Sequence, residues 1–543
     1  MKTHMTKPLR SVFGLRWNLL ESRPALICLG LLAGIAPLPA ASQLAAQWRA
    51  TDQQVELSLA GTTSKWHRVE VSTDLLHWQT LTNVWQTNPV MTWVDAESSN
   101  APTRFYRSLQ LSALDLYVAA PDTNYSWSLA RTIPGIGQTT YVLDLTSQAW
   151  LTAAEVNRTL WKHWLILVIP NNTTNAHALL YISGGSNPGT LPAGADANLR
   201  QIALDTGTVV AELKMVPNQP LTFTPESTGR SEDALIAFNW DKFLRTGDER
   251  WPTRLPMTKA AVRAMDAITA FCATAPGGGW GVNKFVVAGA SKRGWTTWTT
   301  AAVDPRVVGI VPTVIDVLNV EVSMAHHYQA YGFWAPAIGD YVEMDIPSRF
   351  GTPQFHALME IEDPYAYAGR FIMPKFIVNS SGDQFFLPDS SQFYFDALPG
   401  VKYLRYIPNS AHSLSGTDYP TTLRACYESV IFQTPLPRFS WTLQSSNTVR
   451  VVATDPPTAV KLWQAGNPNT RDFRLDTIGA AWQSSNLSDQ GGGIYLGAVT
   501  SPTQGWRAFF VELTYVRPGG LATLKFTTQV YVVPDTLPFQ YPP

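Results

Sequence analysis

Cysteine is scarce in this chain, since only three of its 543 residues are cysteine. One of them, Cys28, lies in an N-terminal segment that we expect to be removed, which leaves Cys272 and Cys426. Neither lies near a histidine in the sequence, so a zinc site or a cysteine nucleophile has little support, and we expect no metal. The sequence leaves open whether the two form a disulfide or stay free and buried.

Excess charge and long apolar runs are also lacking. The formal net charge is −1 at pH 7, whereas a protein that binds nucleic acid has a basic surface. Hydrophobic residues are 45% and charged residues 15% of the chain, which is typical of a globular protein. Beyond the N-terminal segment, no apolar run is long enough to span a bilayer. Nucleic acid is therefore not an expected partner, and we expect no membrane span once the N-terminal segment is removed.

The N-terminal segment has the pattern of an export signal. Basic residues, among them Arg10 and Arg16, precede the apolar run ALICLGLLAGIAPLPA, which is followed by the small residues Ala41 and Ser42. This order predicts a signal peptide over residues 1–41. We therefore expect a protein that is secreted, periplasmic or at the cell surface, with a retained N-terminal anchor as the alternative.

Two regions at the ends of the mature chain read as short strands. Residues 42–113 alternate apolar and polar side chains in stretches such as VELSLA and HRVEVST. Residues 438–543 do the same in TVRVVATD and WRAFFVELTYV. Such alternation predicts half-buried strands, so we expect a β-sandwich module at each end. Contact with a cell surface or a polysaccharide is a candidate role for these modules.

The region between them, residues 114–437, has a different pattern. Near-continuous apolar runs such as HWLILVIP, KFVVAGA and KFIVNSS alternate with helical stretches such as TKAAVRAMDAITAFC. Buried strands alternating with helices predict a mostly parallel α/β sheet. The interval of residues 318–373 is too long for a plain crossover, and we expect it to form a cap over the carboxyl ends of the strands.

The stretch VVAGASKRGW, residues 286–295, contains the candidate nucleophile. It reads as a buried strand, a sharp turn at Ser291 and the start of a helix, which is the arrangement of a nucleophile elbow. The usual elbow is Gly-x-Ser-x-Gly, but here Arg293 occupies the position of the second glycine and Gly294 follows it.

A serine nucleophile needs a base and an acid that orients the base. In α/β-hydrolases the acid and then the histidine follow the serine along the chain. Asp383 and His412 appear in this order, each just after a predicted strand. Asp316, which ends the preceding strand, is the alternative acid, and Asp389 is expected to cap a helix.

Acyl transfer also needs donors for the developing oxyanion. The backbone N–H of Lys292, directly after the nucleophile, is one candidate. The loop SGGSN after the strand HALLYIS provides the second, with Gly185 or Ser186 as the candidate residue. No metal or organic cofactor is needed for this chemistry.

Substrate contacts are less defined by the sequence. The basic side chains of Lys292 and Arg293 either bind a substrate carboxylate, which favours substrates such as uronate esters, or anchor the elbow through acids elsewhere. His326 and His327 fall in the expected cap and are candidate substrate contacts. A peptidase with a carboxylate for a free amino terminus is the other possibility, with Glu360 or Glu362 as that carboxylate.

The central region closely resembles the PhoPQ-activated pathogenicity-related protein family. The matching stretches run in order from residue 114 to about residue 430 and include LDLYVAAPDTNYSW, RSEDALIAFNW, VVAGASKRGWTTWTTAAVDPRV, VNSSGDQFFLPDSS and PNSAHS. The family is related to α/β-hydrolases, and the resemblance implies that Ser291 is the nucleophile. The form Ser-Lys-x-Gly is also similar to the elbow of glucuronoyl esterases.

These observations predict a secreted serine hydrolase of α/β-hydrolase type. Ser291, His412 and Asp383 would cleave an ester or peptide carbonyl of a small-molecule or peptide substrate through an acyl-enzyme. The competing hypothesis is a non-catalytic binding or signalling protein on a hydrolase scaffold.

Overall fold

The computed structural model describes residues 42–75, 77–100, 103–173 and 175–542. The predicted signal peptide, residues 1–41, lies outside the described residues. The chain divides between Leu116 and Tyr117 into two compact units. This boundary falls three residues after the one expected from the sequence.

The N-terminal unit contains two antiparallel sheets of three strands each, in the orders β1-β2-β5 and β4-β3-β6. The strands are β1 (Gln43–Arg49), β2 (Gln54–Ala60), β3 (Trp66–Ser72), β4 (Gln79–Trp85), β5 (Val90–Asp95) and β6 (Phe105–Leu111). Alternate side chains of β2 and β3 are buried, and Val55, Leu57 and Val69 form the centre of a small core. Alternation with a period of two places one face of each strand inside.

The second unit is built on one large mixed sheet, which the helix α1 (Ala113–Ala119) precedes in the chain. Its strands from the central region are β7 (Ser126–Gly135), β8 (Gln138–Ala149), β9 (Leu160–Pro170), β10 (His177–Ile182), β11 (Val209–Leu213), β12 (Lys284–Ala290), β13 (Val307–Thr313), β14 (Lys375–Ser380) and β15 (Lys402–Ile407). They lie side by side in the order β7-β8-β9-β11-β10-β12-β13-β14-β15.

The strands from β11 to β15 in this order are parallel, while β7, β8 and β9 pair antiparallel. The parallel strands are buried on both faces, which explains their near-continuous apolar sequences. This sheet and the turn after β12 confirm the α/β-hydrolase fold. Because carboxyl ends of parallel strands meet at one edge, the turns after β12, β14 and β15 lie along that edge.

Helices cover the sheet and follow the apolar periodicity of the sequence. They are α2 (Ala197–Thr206), α3 (Glu232–Thr246), α4 (Arg254–Cys272), α5 (Lys292–Val303) and α9 (Tyr419–Ile431). The interval expected to form a cap contains α6 (Val320–Tyr331), α7 (Gly339–Glu343) and α8 (Pro353–Glu362), with short 3-10 turns between them.

The C-terminal region corrects one expectation. Its elements are β16 (Phe439–Ser445), β17 (Thr448–Ala453), β18 (Ala459–Asn467), α10 (Leu475–Ile478), β19 (Gln483–Asn486), β20 (Ile494–Ala498), β21 (Trp506–Tyr515), β22 (Leu524–Thr527) and β23 (Tyr531–Val533). β16, β17 and β20 form a separate sheet, but β22 pairs with β15, and β21, β18 and β19 continue the central sheet beyond it. One layer of the expected sandwich is therefore the central sheet itself.

The physical reason is the edge of the sheet. Without β22, the strand β15 would expose a row of unpaired backbone groups, which favours addition of another strand. A single core cluster accordingly contains Val378 of β14, Phe526 of β22 and Val511 of β21. The region after residue 437 is part of the second compact unit and not a separate domain.

Two smaller points complete the fold. None of the helices within the described ranges is long and apolar enough to cross a membrane. Cys272 and Cys426 are both buried free thiols, and burial raises the pKa of each to about 12.

Candidate active site

Ser291 occupies a strained turn between β12 and α5. Its backbone angles are φ 57° and ψ −128°, in a region that side-chain-bearing residues rarely adopt. A Cβ atom on Gly289 would lie 2.7 Å from the carbonyl oxygen of Arg293, and one on Gly294 would lie 2.7 Å from that of Thr313. The close approach of strand and helix thus needs glycine at 294, which accounts for the displaced second glycine of the motif.

The basic pair after Ser291 is neutralised by an acidic pair at the start of α3. Lys292 Nζ lies 2.9 Å from Glu232 Oε2 and 3.0 Å from Asp233 Oδ2. Arg293 donates to both carboxylate oxygens of Glu232, at 2.7 and 2.6 Å. Burial alone would raise the pKa of Glu232, but Arg293 and Lys292 outweigh it and lower the pKa to about 2. Of the two candidate roles, Lys292 and Arg293 therefore perform the anchoring role.

Asp383 and His412 are in direct contact. His412 Nδ1 lies 2.9 Å from Asp383 Oδ1 and 2.8 Å from Oδ2. Asp383 Oδ1 also accepts hydrogen bonds from the backbone N–H groups of Phe385 and Phe386, at 2.8 and 3.3 Å. The carboxylate is thereby fixed in place and holds the histidine in the tautomer with the proton on Nδ1.

The other nitrogen of His412 is available for chemistry. Its Nε2 atom is buried and has no hydrogen-bond partner among the described residues. It is therefore not hydrogen-bonded to the hydroxyl of Ser291 in this structure. The ring of Phe385 lies 4.3 Å from that of His412, measured between centroids, and Phe385 and Ser291 line the same cavity. In unliganded enzymes the hydrogen bond between the nucleophile and the general base is often long, and it shortens when substrate binds.

The alternative acid, Asp316, has other partners. Its two carboxyl oxygens accept hydrogen bonds from Tyr394 Oη at 2.6 Å and Tyr406 Oη at 2.7 Å. Burial raises the pKa of Asp316 to about 8 in spite of these two hydrogen bonds. His412 Nδ1 is hydrogen-bonded to Asp383, whereas the hydrogen bonds of Asp316 within the described residues go to the two tyrosines.

Asp389 and the two cap histidines have structural contacts. Asp389 does not cap a helix with its side chain, because Oδ2 lies 2.7 Å from Arg471 and 3.1 Å from His326 Nε2. His327 Nε2 accepts a hydrogen bond from the backbone N–H of Ala335 at 3.1 Å. Burial lowers the pKa of His327 to about 3. His326 and His327 do not line the cavity beside Ser291, so the structure does not place them as substrate contacts.

The loop of residues 183–187, expected to complete the oxyanion hole, contacts the elbow through Gly184 and not through Gly185 or Ser186. A Cβ atom on Gly184 would lie 2.7 Å from the guanidinium of Arg293. Gly185 and Ser186 are exposed, pair with Gln219 and do not line the cavity. The assignment of the second oxyanion donor to Gly185 or Ser186 stays a prediction.

Sequence reasoning missed that a C-terminal segment, residues 471–482, contacts both the acid and the base loops. The N–H of Leu475 donates to the carbonyl of Gly382 at 3.0 Å. The side chain of Asn409 accepts from Trp482 N and donates to Trp482 O, both at 2.9 Å. These pairings join residues far apart in the chain, and no local pattern signals them.

The cavity that begins at Ser291 is lined mainly by apolar side chains from α3, α5 and the cap. At its base, the buried guanidinium of Arg254 lies 3.2 Å from Glu362 and donates to the carbonyl of Lys292 at 2.7 Å. Glu362 is fully buried, so it does not offer a carboxylate to a substrate.

Comparison with known proteins identifies the family. A curated relative, the autocrine proliferation repressor protein A of Dictyostelium discoideum, is 39% identical over 460 residues, which cover 80% of this chain and 92% of the relative. The solved acetyl xylan esterase 1 of a Thermoanaerobacterium species is similar with a TM-score of 0.37 and 15% identity, over 55% of this chain and 86% of that one.

Two further solved structures are similar to the same degree. They are a glucuronoyl esterase of Solibacter usitatus (TM-score 0.33, 15% identity, 57% of this chain and 90% of that one) and the acylaminoacyl peptidase of Pyrococcus horikoshii (TM-score 0.35, 12% identity, 73% and 57%). The model of the PhoPQ-activated pathogenicity-related protein family matches residues 114–474. The chain therefore belongs to the PhoPQ-activated pathogenicity-related protein family.

Proposed function

We propose that this protein is a serine hydrolase that cleaves an ester or peptide carbonyl through Ser291, His412 and Asp383. The observation that carries the proposal is the bidentate contact of Asp383 with His412 Nδ1, which leaves Nε2 buried and free. The strained position of Ser291 at the start of α5, on the wall of a cavity, supports it further.

The proposed reaction has two halves. Ser291 Oγ attacks the carbonyl carbon while His412 Nε2 takes the hydroxyl proton, and the resulting oxyanion is stabilised by the N–H of Lys292. The carbon–leaving-group bond breaks as His412 returns the proton to the leaving group, which gives an acyl-enzyme. Water then attacks the acyl carbon while His412 Nε2 takes its proton. The bond between the acyl carbon and Ser291 Oγ breaks as His412 returns that proton to Oγ, which gives the acid product and free Ser291.

Lys292 supplies the oxyanion donor because of its position in the helix. It is the first residue of α5, and the first N–H groups of a helix have no intrahelical partner. The helix dipole also favours negative charge at this point. The ion pairs of its side chain with Glu232 and Asp233 hold the residue in place.

Two expectations extend the proposal beyond the site. Export by the signal peptide of residues 1–41 would place the enzyme outside the cytoplasm, and the N-terminal β module is a candidate for contact with a cell surface or polysaccharide. A signalling role without catalysis is the second hypothesis, which the name of the Dictyostelium relative favours.

The test is hydrolysis of p-nitrophenyl acetate and of aminoacyl nitroanilides by the purified chain. Ser291→Ala and Asp383→Asn are expected to lower kcat by at least about 10³-fold. Ser413→Ala is the matched control, because Ser413 is an exposed serine next to His412 and is expected to leave kcat unchanged. Equal rates in wild type and Ser291→Ala, or no hydrolysis at all, would favour the signalling hypothesis.

A further inference from the structure

Most of the side chains that line the cavity beside Ser291 are apolar. They come from α3, from the cap and from the loop after β14, and include Trp240, Val320, Met324, Ile346, Phe350 and Phe386. Trp240 is buried and contacts Tyr341 edge to face, with ring centroids 5.3 Å apart. A ligand group that fills this space exchanges water for apolar surface, which favours apolar groups.

The charged groups at the base of the cavity are already paired. Lys292, whose side chain is 8% exposed, lies between Glu232 and Asp233. Asp233 also accepts a hydrogen bond from Tyr341 Oη at 3.1 Å. Arg254 is held by Glu362 and by the backbone of Lys292.

A carboxylate on the substrate would find no unpaired cation among the described residues that line this cavity. It would have to break a short ion pair or lose its own hydration without replacement. It would also meet the carboxylate of Asp233, which lines the cavity. The basic sequence Lys292-Arg293 thus does not make this an anion-binding site, in contrast to the expectation of uronate esters.

We propose that this cavity binds an uncharged apolar group of the substrate, branched aliphatic or aromatic, attached on one side of the scissile carbonyl. The inference rests on the proposed function, because it places that carbonyl at Ser291. Phe350 and Met324 are then specificity-determining residues, since both line the cavity and neither belongs to the hydrogen-bonded pair of Asp383 and His412.

The first experiment compares kcat/KM of the full chain on two series of esters. In the acyl series, p-nitrophenyl butanoate and phenylacetate are compared with the acetate and with the hemisuccinate, which carries a carboxylate. In the alcohol series, the benzyl ester of acetic acid is compared with its methyl ester. These two arms show on which side of the carbonyl the apolar group binds.

The expected result is a preference of about tenfold or more for the apolar group in one arm, since each buried methylene in a hydrophobic pocket changes kcat/KM by roughly 10-fold or more. If the acyl arm shows the preference, the hemisuccinate is expected to react at least about tenfold more slowly than the butanoate, which has the same chain length without the charge. No apolar preference in either arm would overturn the proposal, and so would an acyl-arm preference with a hemisuccinate rate equal to or above that of the butanoate.

The second experiment changes the wall. Phe350→Ala is expected to lower the apolar preference of the arm that shows it, either phenylacetate over acetate or benzyl over methyl acetate, by roughly tenfold. In the acyl arm, Met324→Lys is expected to raise the ratio of hemisuccinate to butanoate turnover. Phe432→Ala, which removes a half-exposed ring at the end of α9, is the control expected to change neither ratio. Unchanged ratios in both wall variants, with folding verified by circular dichroism, would contradict the assignment.

Failure of this inference can be told apart from failure of the proposed function. A small sulfonyl fluoride that modifies Ser291 but no preference for apolar esters would refute only the cavity assignment. No modification of Ser291 and no ester hydrolysis would refute the proposed function, and the cavity assignment with it.

Discussion

The N-terminal and C-terminal β regions have similar sequence patterns but different places in the structure. The N-terminal strands form two small sheets with their own core, within a compact unit of their own. Of the C-terminal strands, β22, β21, β18 and β19 extend the central sheet beyond β15, and the segment that follows β18 contacts the loops of Asp383 and His412. The alternation of apolar and polar residues therefore indicates which face of a strand is buried. It does not indicate which sheet the strand joins.

Deletion of each region should show the largest difference. A chain that starts at Ala113 is expected to keep its thermal transition and its ester hydrolysis, because the strands of the removed segment that the structure describes form sheets with one another. A chain that ends at Pro437 is expected not to fold, since it exposes the edge of β15 and removes much of a shared core. Circular dichroism and p-nitrophenyl acetate turnover measure both. Folded, active protein after the C-terminal deletion would break the comparison.

Removal of one arginine that is ion-paired with a buried aspartate in each region gives the next largest effect. Arg471→Met leaves Asp389 buried without its guanidinium partner, which lies at 2.7 Å. The unfolding free energy is expected to fall by about 3–5 kcal/mol, and ester hydrolysis is expected to be lost. Arg104→Met breaks the matched pair with Asp95, at 2.9 Å. It is expected to destabilise the N-terminal unit alone and to leave hydrolysis intact. Urea unfolding and turnover are the measurements, and equal loss of activity in the two variants would contradict the account.

Asp316, which lies in the second unit, is expected to make the unfolding free energy of that unit depend on pH. Burial raises its pKa to about 8, whereas an unfolded aspartate has a pKa of about 3.9. Between about pH 4 and 8 the folded protein holds a proton that the unfolded chain has lost. The unfolding free energy therefore falls as pH rises, by at most about 1.4 kcal/mol per pH unit from this group.

Asp316→Asn is expected to remove that slope. The unfolding free energy of the variant should therefore rise relative to that of the wild type from pH 6 to pH 8. Urea unfolding at several pH values measures it. The effect should involve the C-terminal strands, because Tyr406, which donates to Asp316, is bonded through its N–H to Thr527 of β22 at 3.1 Å. Identical slopes in the two proteins, or a change confined to the N-terminal unit, would contradict this explanation.

The smallest expected loss of stability comes from the hydrogen bonds at Asn409. Asn409 has a φ of 53°, which glycine adopts readily. Asn409→Gly therefore removes both side-chain hydrogen bonds to Trp482 without straining the backbone. The expected loss is about 1–3 kcal/mol, with a fall in kcat of roughly 10- to 100-fold because the loop of His412 is less well positioned. KM is expected to stay unchanged.

The control for Asn409 lies in the N-terminal unit. Gln54→Ala removes an exposed side-chain hydrogen bond to the backbone of Ala96 and is expected to leave kcat unchanged. If Asn409→Gly lost stability but kept its kcat, the C-terminal segment would support the fold only and would not position the base.

Local patterns predicted the elbow, because β12, Ser291 and α5 are consecutive in the chain and each has its own signal. The order of Asp383 and His412 was also predictable, since each follows a buried strand. The contacts of Lys292 with Glu232 and of Arg471 with Asp389 were not predictable. They join side chains from distant elements, and an acidic pair at the start of a helix has the same sequence whether it faces solvent or an elbow.

Labelling of the full chain with a fluorophosphonate, with the adduct located by peptide mass spectrometry, tests directly whether His412 activates Ser291. We expect a single adduct on Ser291 and a labelling rate that falls at least about 100-fold in His412→Gln. His356→Gln, an exposed histidine paired with Glu321, should label like wild type. An adduct on another residue, or a rate that does not depend on His412, would contradict a hydrolase built on Ser291, His412 and Asp383.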